Sequence, residues 1–103
     1  MSYSKKQIIE LEREINKNKP LLASPTSRLI KQCKGSGVRI KRNQQLQIDR
    51  VAYVKDKIDI FCIFHISEAK KSIFTSIVNL TFIGEGRLFE KIKEFQAWDG
   101  VLD

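Results

Sequence analysis

The sequence predicts an α+β protein with two N-terminal helices, a three- to four-stranded antiparallel sheet and one C-terminal helix packed on the sheet. Three observations lead to this fold class. Apolar residues recur at helical spacing before residue 35 and after residue 86. Between residues 38 and 83 they recur at every second position, as in strands. The 103 residues, 42% of them hydrophobic, are predicted to form a single domain, 1–103.

The first helix is predicted from Ser4 to about Asn18. Ser4 with Gln7 three residues later matches a capping box, in which each side chain binds the other residue's backbone N–H. Pro20 ends the helix, because the residue before a proline is disfavoured in helical geometry. The predicted buried stripe consists of Ile8, Leu11 and Ile15.

A second helix is predicted with Ser24 as N-cap, Pro25 at the first helical position and Gly35 at its end. At this spacing one face is apolar and the opposite face is cationic. The apolar face consists of Leu29, Ile30 and Cys33, and the cationic face of Arg28, Lys31 and Lys34. Two helices in succession are also compatible with a helix-turn-helix motif.

The remaining elements are strands and a last helix. A short strand at 38–41 places Arg39 and Lys41 on one outward face. Longer strands are predicted at 46–54, 58–66 and 73–83, with a hairpin tip at 55–57 and a polar connection at 67–71. The last helix is predicted from about Gly86 to Trp98.

The predicted sheet has a second apolar face, although a face in contact with water is usually polar. This face comprises Phe61, Ile63, Ile73, Ile77 and Ile83, whereas Phe74, Val78, Leu80 and Phe82 are predicted on the opposite side of the last strand. Helices could cover both faces, or part of the second face could contact another subunit. A protein-interaction module or homodimer built on this face is therefore one hypothesis for function.

The distribution of charge is the strongest functional signal. Residues 1–50 hold 12 Lys and Arg against 4 Asp and Glu, a balance of +8, whereas residues 51–103 hold 7 against 8, a balance of −1. Between Glu14 and Asp49 there is no carboxylate. The same interval contains eight cations: Lys17, Lys19, Arg28, Lys31, Lys34, Arg39, Lys41 and Arg42.

These eight cations are the predicted nucleic-acid-binding residues. Cations collected on one surface bind phosphates and release their counterions, so the leading hypothesis is a small basic non-enzymatic protein that binds nucleic acid or another polyanion through backbone electrostatics. The six from Arg28 to Arg42 form the expected centre, and Lys17 and Lys19 are peripheral. The interval contains no aromatic residue, so it offers no base stacking and little sequence specificity.

A third hypothesis is a small ribonuclease, which needs a general base and a general acid. His65 is the only histidine. Asp59 is six residues from it, about 20 Å along a strand at roughly 3.3 Å per residue, so the two side chains are too far apart to form a hydrogen-bonded pair. No catalytic residue, metal ligand set or cofactor is predicted.

Cys33 and Cys62 are the only cysteines and are expected to be buried thiols in a reducing, cytoplasmic setting without membrane contact.

Overall fold

The computed structural model describes residues 2–102 and confirms an α+β fold. Within that range it contains three α-helices and two three-stranded antiparallel sheets. The helices are α1 (Lys5–Lys17), α2 (Ser27–Gly35) and α3 (Arg87–Gln96). The strands are β1 (Leu21–Pro25), β2 (Leu46–Ile48), β3 (Arg50–Val54), β4 (Asp59–Ile66), β5 (Lys71–Ser76) and β6 (Leu80–Ile83).

The two sheets share bent strands. One sheet has the order β2–β1–β6 and the other β3–β4–β5. β2 continues through Asp49 into β3, and β5 continues through a 3₁₀ turn at Ile77–Asn79 into β6. β1 pairs with β2 and β6, and β4 pairs with β3 and β5. Because β2 continues into β3 and β5 continues into β6, the strands form a closed ring. Strands that change sheet at a bend form the corners of such packings. The sheet predicted as one is therefore two.

Each bent strand has an edge that a helix covers instead of another strand. Along β3 this helix is α1. The Asn16 carboxamide donates from Nδ2 to the Val51 carbonyl oxygen and accepts from the Val51 N–H at Oδ1, both at 2.9 Å. The neighbouring Glu12 carboxylate accepts from the Tyr53 N–H at 3.4 Å. The side chains of α1 thus occupy the place of a partner strand and satisfy backbone groups that would otherwise be unpaired.

The other two helices use glutamine in the same way. On α2, Gln32 donates to the Phe74 carbonyl oxygen at 3.4 Å and accepts from the Thr75 hydroxyl at 2.9 Å. On α3, Gln96 donates to the carbonyl oxygens of Ile77 and Leu80, each at 2.8 Å, at the corner between β5 and β6. All three helices are therefore held against the strand ring by a carboxamide.

The hydrophobic core lies inside the ring and beneath the helices. β4 forms part of the ring wall, and its inward side chains, Ile60, Cys62, Phe64 and Ile66, are buried in this core. The predicted capping box at Ser4 is present, and the predicted stripe of α1 is buried against this core. α1 and α3 end close to the sequence predictions.

The predicted start of the second helix is wrong. Ser24 and Pro25 belong to β1, and the N-cap is Thr26, whose hydroxyl accepts from the Leu29 N–H at 3.3 Å. Pro25 lies opposite Leu80 and beyond the residues of β1 that pair with β2, so it is at a local strand edge, where a missing N–H is tolerated. Because β1 separates α1 from α2, the pair is not a helix-turn-helix motif.

The predicted strand at 38–41 is also wrong, although its alternation is correct. Val38 and Ile40 are buried while Arg39 and Lys41 are exposed. The segment has no ladder partner among the described residues. Instead, the Val38 N–H donates to the Cys33 carbonyl oxygen at 2.8 Å and fastens the segment to the end of α2.

The predicted strands at 46–54 and 73–83 each break at a corner of the ring. In the second, the 3₁₀ turn changes which positions point inward. Ile73 and Ile77 are buried, contrary to their predicted place on the second face, whereas Phe74 is 51% and Val78 39% exposed. After the turn the phase shifts, so that Leu80 is buried and Ile83 is 43% exposed.

Replacing Asn16 with Ala should destabilise the protein, because the Val51 N–H and C=O would both lose their partner at a partly buried position. The expected loss is about 1–3 kcal/mol in the free energy of unfolding. Urea denaturation monitored by circular dichroism measures it, with exposed Gln45→Ala as the matched control. Equal midpoints for the two variants would contradict the role assigned to Asn16.

Candidate nucleic-acid interface

A groove lies between the C-terminal half of α2 and segment 38–41, with a volume of about 710 Å³. Its cations come from two elements: Lys34 from α2, and Arg39 and Lys41 from the segment. Apolar side chains of the lining include Ile30. The lining contains one carboxylate, Glu68, from the turn between β4 and β5.

The chain reversal after α2 brings these cations together. The Gly37 N–H donates to the Lys34 carbonyl oxygen at 3.0 Å, and Gly37 has a φ of 78°, a conformation that favours glycine. Further along, the Gln44 N–H donates to the Lys41 carbonyl oxygen and the Lys41 N–H donates to Gln44 Oε1, both at 3.1 Å. The alternating burial of Val38 to Lys41 leaves the cationic side chains pointing away from the core.

The predicted cationic face of α2 extends across the whole solvent side of the helix. Viewed along the axis of an α-helix, successive side chains point in directions about 100° apart. Ile30 and Lys34 lie on the margin that lines the groove, whereas Gln32 lies on the margin that contacts β5. Lys31 and then Arg28 lie between these margins, and both are exposed. The three cations therefore form a band that leads from the groove toward β5.

The structure separates the other predicted cations from the groove lining. Arg42 is exposed at the tip of the turn that follows Lys41. Lys17 ends α1 and Lys19 precedes β1. β1 and β2 are antiparallel, and Leu21 at the start of β1 pairs with Ile48 at the end of β2. Lys17 and Lys19 therefore lie near the end of β2, whereas residues 38–45 lead into its beginning.

The groove cations are available to an external anion. Among residues 2–102 the one ion pair joins Lys91 to Glu14, at 3.2 Å, and it lies between α3 and α1. Lys71 adds a positive charge near the end of α2, where its Nζ donates to the Ser36 carbonyl oxygen at 3.0 Å. Lys71 and Glu68 were not predicted as neighbours of the groove, because only the tertiary fold places the β4–β5 turn there.

The outer face of the β3–β4–β5 sheet carries an aromatic pair. The rings of Phe61 and Phe74 are stacked with centroids 4.7 Å apart and an interplanar angle of 28°. Phe61 and Ile63 were predicted on this face and are half-buried there, whereas Phe74 was predicted on the opposite one. The aromatic side chains missing from the acid-free interval are thus present on a neighbouring surface.

Within residues 2–102, the His65 ring has no hydrogen-bonded partner that could serve in acid–base catalysis. His65 is exposed and pairs in register with Ser72, and no hydrogen bond to its ring is formed within residues 2–102. The Asp59 carboxylate accepts from the Ser76 hydroxyl and from the Ile60 N–H. No group of three or more His, Cys, Asp or Glu side chains that could hold a metal ion occurs in the described part of the chain.

A second groove, of about 460 Å³, lies between α1 and α3. Its charges are mixed: the acidic residues are Glu10, Glu14 and Glu94, and the basic residues are Arg87 and Lys91. At its edge, burial and then the Glu94 charge raise the pKa of Tyr3. The mixture of positive and negative charges makes this groove a poorer anion site than the first.

None of the helices in residues 2–102 is long and apolar enough to cross a membrane.

Both thiols should be unreactive in the native protein. Burial raises the pKa of Cys33, and burial followed by the Asp59 charge raises the pKa of Cys62, so the reactive thiolate is disfavoured. At about pH 8, near the ordinary thiol pKa, we expect a disulfide reagent to label neither thiol until guanidinium chloride unfolds the chain. Rapid labelling of Cys62 in the folded protein would contradict its burial.

Comparison with known proteins does not supply a family for the chain. The sequence matches no protein-family model, and no curated protein or solved structure is significantly similar to it. Function therefore has to be inferred from the cationic groove and from the outer face of the β3–β4–β5 sheet.

Proposed function

We propose that this protein binds nucleic acid or another polyanion through phosphate contacts centred on the cationic groove. The observation that carries the proposal is the convergence of Lys34, Arg39 and Lys41 on one concave surface whose lining contains a single carboxylate. The site is smaller than the eight-residue set predicted from the sequence. Lys31 and Arg28 extend it across α2, and Lys17 and Lys19 lie apart from it.

Electrostatics supports this function. The chain carries a formal charge of +7, and the whole excess comes from residues 1–50, which carry +8 against −1 for residues 51–103. Each phosphate that a cation neutralises releases condensed counterions, so affinity falls steeply as salt rises. The lysine and arginine side chains contact phosphates without reading base edges, and low sequence specificity follows. Glu68 limits how closely a phosphate can approach one side of the groove.

Reversing the three groove charges, with Lys34→Glu, Arg39→Glu and Lys41→Glu together, should weaken binding at least about 10-fold at low salt. Because three phosphate contacts would be lost, the slope of log affinity against log salt on duplex DNA should become less negative by about 2.7. Fluorescence anisotropy between about 50 mM and 200 mM salt measures both quantities.

A matched control separates groove contacts from net charge. Lys5→Glu, Lys6→Glu and Arg13→Glu also reverse two lysines and one arginine, all exposed and on α1. Long-range attraction falls equally in the two triple variants, whereas direct contacts are lost only in the first. An equal effect on affinity and slope in both variants would reject the groove as the site.

A second candidate function is a protein-interaction module or homodimer that uses the outer face of the β3–β4–β5 sheet. The exposed Phe74 ring, stacked on Phe61, favours it. This function predicts a mass that rises with concentration in sedimentation equilibrium and returns to that of a monomer in Phe74→Asp. A monomer at all accessible concentrations would exclude the homodimer.

A further inference from the structure

We propose that the outer face of the β3–β4–β5 sheet stacks the bases of a single-stranded nucleic acid whose phosphates follow the cations of α2 into the groove. This inference rests on the proposed function and names its substrate class. It adds a site that the acid-free interval does not contain, because both aromatic residues come from β4 and β5.

Strand register places Phe61 on the central strand of this face and Phe74 on the edge strand that α2 contacts. Arg50, Ile63 and Phe74 lie in one row across β3, β4 and β5. The next row contains Ala52, Phe61 and Ser76. The Phe61 ring stacks on one face of the Phe74 ring, and 51% of Phe74 remains exposed to solvent. A half-exposed ring on a sheet is the type of surface on which bases stack in single-strand binders.

The charges around the rings favour a polyanion over an apolar partner. Arg50 lies in the same row as Phe74, and Lys57 Nζ is 5.8 Å from the centroid of the Phe61 ring. Asp59 is the carboxylate on this face, and its oxygens accept from Ser76 and from the Ile60 N–H. One cation therefore lies near the Phe61 ring, a second lies on the opposite edge strand of the same face, and the Asp59 carboxylate is engaged within the protein.

The groove and the aromatic face lie on the two margins of a single helix. Gln32 holds one margin of α2 against β5 next to Phe74, whereas Lys34 lines the groove on the other margin. A helix with its side chains is about 10–12 Å wide, a distance that a few nucleotides span. Lys31 and Arg28 occupy the surface between the margins, so a strand crossing α2 meets cations along its path.

An unpaired strand suits this arrangement better than a duplex. In a duplex the bases stack on one another inside the helix, so a protein ring cannot stack on them without unstacking the helix. A duplex can use the groove cations, but only an unpaired strand can use those cations and the Phe74 ring together. We therefore expect tighter binding to a single strand than to a duplex of equal phosphate number.

The test compares Phe74→Ala with the wild-type chain on two fluorescent ligands, an oligothymidylate of about 12 nucleotides and a hairpin duplex of equal phosphate number. Loss of the ring should lower affinity for the single strand roughly 10-fold. Affinity for the duplex and the salt slope should not change. Phe74→Tyr keeps an aromatic ring and should retain the wild-type preference.

Exposed Val78→Ala is the matched control, and both ligands should bind it as they bind the wild type. Should Phe74→Ala prove unfolded by circular dichroism, Phe74→Leu removes the ring while keeping an apolar side chain. Single-strand affinity that survives loss of the ring would overturn the stacking site alone. Wild-type protein that binds neither ligand would overturn the proposed function as well. A dimer that dissociates in Phe74→Ala, with oligonucleotide affinity unaltered, would assign the face to a second copy of the chain.

Discussion

The bends that carry the chain from one sheet to the other leave strand edges that the three helices must cover. A strand that changes partner at a bend has, on either side of that bend, an edge that no neighbouring strand covers. Backbone groups at such edges need hydrogen-bond partners. Helix carboxamides supply some of them here: Asn16 along β3, Gln32 along β5 and Gln96 at the β5–β6 corner. These hydrogen bonds hold the three helices against the strands, and the core fills the space between them.

The position of α2 also determines where its cationic side chains lie. Leu29 and Cys33 are buried in the core, and Gln32 is committed to β5, so the charged residues of the helix can occupy only its solvent side and its other margin. The fold then attaches segment 38–41 beside that margin and adds Arg39 and Lys41 to Lys34. Five of the eight cations in the acid-free interval thus lie on α2 or on the segment 38–41 fastened to its end.

Local sequence signals predicted local structure well. The capping box at Ser4 and the alternation along β4 depend on neighbouring residues and were recognisable. β1 was missed because Ser24 and Pro25 also match the start of a helix, and only pairing with β2 and β6 decides between the two. The strand is interrupted at Ile77–Asn79 because the chain bends there to close the ring. Beyond this turn, different positions of the strand point inward. Phe74 was therefore assigned to the wrong face, which concealed the aromatic surface. The exposure of the cations was predictable, whereas their grouping around one groove required the fold.

If α2 joins a phosphate-binding groove to a base-stacking sheet face, one oligonucleotide contacts both surfaces. Titration of the ¹⁵N-labelled protein with an oligothymidylate of about 12 nucleotides, followed by NMR, measures this. Backbone amide signals of Lys34 and Arg39 in the groove and of Phe74 on the sheet should shift together with a single affinity. Shifts confined to the mixed-charge groove around Glu10 and Lys91, or shifts at the first groove without any at Phe74, would contradict it.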